Sequence, residues 1–130
     1  MSERTREFPC SRMDLPRVER WFARQAGEGK MISRLNMGLG NGVFEDILGR
    51  ECHFCIRPYK AKLDKTVLSS AEFSQFRQQF EDLGWKFQCG LMNLAVFYSG
   101  DGERPAEPPE DRQETQKCLL QITAGAELEI

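Results

Sequence analysis

A two-layer α+β sandwich is the fold this 130-residue sequence predicts. Two β-α-β-β repeats, at about 5–48 and 51–100, are expected to form one antiparallel-rich sheet with both helices on one face, either ferredoxin-like or as a duplicated β-α-β-β unit. Three observations predict it. Two amphipathic segments each end at glycine. Each is followed by a strand, a turn containing Gly and Asn, and a second strand. Those second strands hold Phe44 and Phe97 in similar places.

A short first strand is expected around Arg6–Ser11. Asp14 then stands where an N-cap belongs, with Pro16 in the first turn, where its missing N–H costs little. Leu15, Val18, Trp21, Phe22 and Ala26 follow at helical spacing, and Gly27 and Gly29 supply the stop. Met31–Leu39 alternates as a strand. Gly38–Gly42 reads as a turn, with Asn41-Gly42 its hairpin signal, and Val43–Ile47 is the return strand. Gly49-Arg50 turns into the strand Cys52–Tyr59.

The second helix opens on Ser69 and Glu72, placed as a capping box, with Leu68 and Phe73 as a hydrophobic staple. Phe73, Phe76, Phe80 and Leu83 make one apolar stripe facing a sheet, and Gly84 ends the helix. Trp85–Cys89 and Leu94–Ser99 are strands around the turn Gly90–Asn93. Asp101–Lys117 contains three prolines and no apolar residue but Ala106, so 101–117 reads as a disordered acidic linker and 118–130 as a short tail with Cys118–Ile122 apolar.

Charge is uneven. Of 18 basic and 20 acidic side chains, residues 101–130 hold three and eight, leaving the first hundred residues at +3. That is too weak to argue for nucleic acid, and none is expected as a partner. The N-terminus lacks an apolar signal-peptide core, and the longest apolar runs fall well short of the ~20 residues of a membrane span. Five cysteines without an export signal point to reduced thiols and a cytoplasmic location.

Cys52-His53-Phe54-Cys55 has the spacing of a zinc knuckle or redox dithiol. The segment reads as a strand, however, where sulfurs three residues apart point to opposite faces. No second such pair is present. The cysteines are therefore expected as small buried hydrophobes, with no metal and no cofactor. His53, the single histidine, shares a strand face with Cys55, Arg57 and Tyr59, while Phe54 and Ile56 take the other. If Phe54 and Ile56 meet the helices, the first row lines an open face. With Trp21 and Trp85, which are read as core or cleft-lining, that row is the candidate ligand or partner face. No catalytic residues are assigned: Cβ atoms two apart on a strand lie roughly 6–7 Å from each other, long for a thiol–imidazole bond between Cys55 and His53. Gly38–Gly42 lacks the lysine and following helix of a phosphate loop. Arg57, Lys60, Lys62 and Lys65 read as a solvated strand end and loop.

Arg20-Trp21-Phe22, Phe44-Glu45, and above all Phe80-Glu81-Asp82-Leu83-Gly84-Trp85 followed by Phe97-Tyr98-Ser99 resemble the bacterial family DUF2812, a domain of unknown function. The resemblance covers roughly residues 5–100; Gly29-Lys30 departs from it, standing where the family has Gly-Trp. It implies no catalytic residues. It does imply a functional link to a PadR-type regulator, and membrane attachment in related proteins through helices this chain lacks.

The function expected is a non-enzymatic binding or regulatory module whose partner is a protein or a small apolar ligand. The alternative is a small-molecule sensor holding an effector in a groove between the repeats, by analogy with regulators of the GyrI type.

Overall fold

The computed structural model describes residues 3–11, 14–36, 41–100, 102–108 and 113–120. The chain runs β1 (Glu3–Glu7), α1 (Leu15–Gly27), β2 (Lys30–Asn36), β3 (Asn41–Asp46), β4 (Cys52–Pro58), α2 (Lys65–Leu68), α3 (Ala71–Glu81), β5 (Lys86–Leu91) and β6 (Leu94–Gly100), and residues 113–120 are helical. It is an α+β fold with two three-stranded antiparallel sheets, ordered β1-β3-β2 and β4-β6-β5.

Local chemistry starts and stops the helices. The Asp14 side chain accepts the Arg17 N–H at the head of α1, and Gly29, at φ +88°, turns the chain out of it. Ser70, not Ser69, caps α3: its Oγ accepts the Phe73 N–H at 3.1 Å. The short helix α2 occupies the residues before it and ends at Ser69, which displaces the expected capping box by one position. Glu72 pairs instead with Lys60, and Leu68 is exposed rather than stapled to Phe73. Gly84, at φ +106°, then leads into β5.

The hairpins carry matching irregularities. The register shifts between Ile32 and Arg34 in β2 and between Phe87 and Cys89 in β5, with Ile32 opposite Phe44 and Phe87 opposite Phe97. Asn41 and Gly42 are part of β3, paired with Asn36 and Leu35, and are not the turn; residues 37–40 lie outside the described residues. The expected single sheet is two. β2 and β5 run side by side, but the contact is made by a side chain, Gln88 Nε2 donating to Ile32 O at 2.6 Å. Bulges on both facing edges explain this, because each breaks the ladder that a continuous sheet needs.

The expected placement of both helices on one face is also corrected. Leu15, Val18, Phe22 and Ala26 of α1 share a buried cluster with Ile32 and Phe44 of the first sheet and with Cys52, Phe54, Ile56, Leu94 and Val96 of the second. Phe80 of α3 clusters with Cys55, Ala95 and Phe97, which alternate with those residues along β4 and β6. The two helices therefore cover opposite faces of the second sheet. The cause lies in β4, where Phe54, Cys55 and Ile56 are consecutive buried residues: a strand apolar on both sides requires cover on both. The water-facing sheet surface belongs to the first sheet, at Thr5, Glu7 and Glu45.

Two parts of the expected acidic linker and tail have definite places. Residues 102–108 run along β4, and Cys118 and Leu119 join the α1 cluster, with Asn93 Nδ2 donating to Cys118 Sγ at 2.9 Å.

Candidate functional site at the open edge of β4

Among the described residues β4 pairs with a strand, β6, on one side only, so the main-chain groups of Phe54 and Ile56 on its other side need partners. Side chains from three elements supply them. Glu19 of α1 accepts the Ile56 N–H at 2.7 Å. Arg57 Nη1 donates back to Ile56 O at 3.0 Å, and Arg104 Nη2 donates to Phe54 O at 3.2 Å. Arg57 also meets Glu19 at 3.5 Å and Glu107 at 2.8 Å, while Arg104 meets Glu107 at 2.6 Å. The side chains of Arg57 and Glu19 are only 8% and 13% exposed, so this is a nearly buried ionic network. Arg57 Nε is buried without a hydrogen-bond partner among the described residues.

Beside the network opens a cleft of about 410 Å³, with His53, Arg57, Arg104 and Glu107 on one side and Pro16, Glu19, Arg20 and Ala23 of α1 on the other. Burial pushes the Glu19 carboxyl up from 4.5 to about 7, against the opposing pull of the Ile56 N–H, Arg57 and Arg104. Burial also acts to raise Glu107, but the hydrogen bond and charge of Arg104, with Arg57, outweigh it and hold that carboxyl below its ordinary value. One carboxylate is firmly ionised and the other changes charge near neutrality.

The residues singled out from the sequence fall into different places. His53 and Arg57 both line the cleft, with His53 Nε2 3.3 Å from Gly102 O. Cys55 shares their strand face, but that face lies under α3 and is not open. Its thiol is buried and pushed up to about 12 by that burial, which leaves it no nucleophile beside His53. Tyr59 is buried against Phe73 and Phe76, at ring distances of 5.3 and 4.7 Å. Trp21 packs in the α1 core against Phe8 and Phe44. Trp85 is buried on the α3 side, and its indole N–H donates to Ala106 O at 3.0 Å, so residues 102–108 connect it to the network. Cys52 and Cys55 sit in the clusters on opposite faces of β4. Among the described residues no three His, Cys, Asp or Glu side chains converge on a metal position, and no helix is long and apolar enough to cross a membrane.

Glu19, Arg20, Arg104 and Glu107 were not named as site residues from the sequence. Glu19 had a signal: it sits four residues after Leu15 and three before Phe22, inside the apolar stripe of α1, where a carboxylate needs a buried partner. Arg104 and Glu107 lie in a composition that reads as linker and carry no such mark.

No family model, curated protein or solved structure matches the chain.

Proposed function

We propose that this chain is a non-enzymatic binding or regulatory module made of two copies of a β-α-β-β unit, and that its binding site is the cleft along the open edge of β4. The carrying observation is the convergence of Glu19, Arg57, Arg104 and Glu107 from three separate elements on one sheet edge. Such a network holds chain and orients charge. Apart from Arg57 Nε, its groups satisfy one another and the β4 main chain, which suits recognition better than proton or group transfer. Arg20, exposed at the rim, has no partner among the described residues and gives the cleft an uncommitted positive charge toward a partner.

The duplication is supported by identical strand orders, by the paired bulges and by glycines of positive φ after both long helices. Kinship with DUF2812, and through it a link to a PadR-type regulator, belongs to the same proposal. Phe80 and Trp85 of the F-E-D-L-G-W string are both buried around Phe97, as a structural signature requires. A cytoplasmic setting is supported by the five free cysteines.

The test is a screen of small anions, apolar ligands and candidate partners against the isotope-labelled chain. Binding that shifts His53, Arg57 and Arg104 together is expected. A chemical turnover that disappears on His53→Ala would contradict the proposal. A sensor of small molecules is the second reading, with its ligand in a cleft of about 490 Å³ bounded by Trp85, Phe87, Tyr98, Arg77, Glu81 and Lys86, which lies within the second unit and not in the expected groove between the repeats. It predicts quenching of tryptophan fluorescence by hydrophobic cations that is lost in Trp85→Phe.

A further inference from the structure

Residues 102–108 make a chemically specific set of contacts. The segment Arg104-Pro105-Ala106-Glu107-Pro108 has Pro-x-x-Pro spacing, which favours an extended chain with few unfolded-state conformations to lose. Trp85 donates its indole N–H to Ala106 O at 3.0 Å, and the Arg104 guanidinium lies over the Trp85 ring at 5.1 Å. Pro105 rests on Gly84, where an added Cβ would stand 3.4 Å from its ring. Glu107 is held by Arg57 at 2.8 Å, and Pro108 is buried. An aromatic N–H to a backbone carbonyl, proline rings on a small-residue floor and one ion pair to fix direction are the means by which proteins read extended proline-containing peptides.

We propose that Gly84, Trp85 and Arg57 form a recognition groove for an extended Arg-Pro-x-Glu-Pro segment of another polypeptide, and that the chain's own residues 104–108 occupy it in cis. This deepens the binding-module proposal and rests on it. The resident segment defines the ligand chemistry: a positive residue to stack on Trp85, a proline for Gly84, a carbonyl for the indole and a carboxylate for Arg57. Because a tethered occupant competes at an effective concentration of order mM, the intact chain is a closed form. A partner segment enters when the cis contacts are loosened.

The test uses the full chain with Arg104→Ala and Glu107→Ala, and a synthetic peptide of residues 102–108. The readout is the Trp85 indole N–H resonance. The resonance is expected to move in the double variant and to return, saturably, as peptide is added. A peptide carrying the same two substitutions should not return it. The wild-type chain should bind the peptide more weakly than the double variant, by about tenfold or more. Should the double variant lose its fold, judged by amide dispersion, Glu107→Gln serves in its place. A folded variant whose indole signal ignores the peptide, or responds equally to both peptides, overturns the inference. So does dimerisation of the variant without any peptide response, which would mean exchange between copies. Small ligands that still shift His53 and Arg57 in that case would leave the binding-module proposal standing.

Discussion

The two long helices, 13 residues in α1 and 11 in α3, meet the sheets in opposite ways. α1 packs one face against both sheets, burying Leu15, Val18, Trp21, Phe22, Gln25 and Ala26, and leaves Arg17, Arg20 and Arg24 exposed to water. α3 is a cover on one face and buries only Phe73 and Phe80, with Phe76 partly exposed. The same kind of element is therefore a strut in one half and a lid in the other. A charged residue on a lid reaches water. On the buried stripe of α1 it must find a partner inside the protein, and Glu19 does so at the β4 edge.

The largest effect should come from α1. Phe22→Ala removes a ring packed against Phe44 and Phe54 and should cost about 3–5 kcal/mol, against about 1–2 kcal/mol for Phe76→Ala on α3. Urea unfolding of the two variants measures both, and equal losses would break the strut-and-lid contrast.

Arg57→Ala comes next, at about 3 kcal/mol, because it leaves Glu19 and Glu107 without their shared cation. Adding Glu19→Gln should recover part of that loss in a double-mutant cycle, whereas strict additivity would mean the two side chains are not coupled.

The pH dependence has a defined sign. Glu19 binds a proton more tightly folded, at about 7, than at its ordinary 4.5, so its favourable contribution is complete below 4.5 and is lost as pH rises through 7. The change is at most about 3 kcal/mol. Glu107, held low in the folded chain, works in the other direction, and its contribution fades only as pH falls through that lowered value. Stability measured from pH 4.5 to 7.5 should fall less steeply in Glu19→Gln than in the wild type; unchanged slopes would show that Glu19 is not the titrating group.

Smaller effects sharpen the comparison of the two units. Gly29→Ala and Gly84→Ala, at φ +88° and +106°, should each cost about 1–3 kcal/mol, and a large loss at one alone would argue against equivalent helix stops. Arg77→Ala breaks an exposed pair with Glu81 one turn along α3 and should change stability by no more than about 0.5 kcal/mol in thermal unfolding.

Much of the fold was legible where one local rule acts alone. The Asp14 cap, the glycines after the helices and Phe73, Phe76 and Phe80 of the α3 stripe are each short-range, and they placed their elements within a few residues, although Leu83, the last of the expected stripe, lies past the helix and is exposed. The division into two sheets was not legible, because it depends on bulges at Ser33 and Gln88 that no local pattern marks. The burial of β4 on both faces was misread: His53, Cys55, Arg57 and Tyr59 do share a face, but nothing in their alternation says that α3 lies over it. Two of the six charged or titratable residues that line the cleft, His53 and Arg57, were named from the strand pattern. Arg104 and Glu107 were missed because an acidic, proline-containing segment looks disordered until a tryptophan and an arginine are shown waiting for it.

The open edge of β4 holds residues 102–108 through specific contacts and not by burial alone. Hydrogen exchange at the Trp85 indole N–H reads these contacts. In the wild-type chain the Trp85 indole, bonded to Ala106 O, should exchange slowly. In the Arg104→Ala, Glu107→Ala variant that protection should collapse, while the amides of β6, paired with β4 and β5, keep theirs. Unchanged protection of Trp85 in a folded variant would contradict the claim.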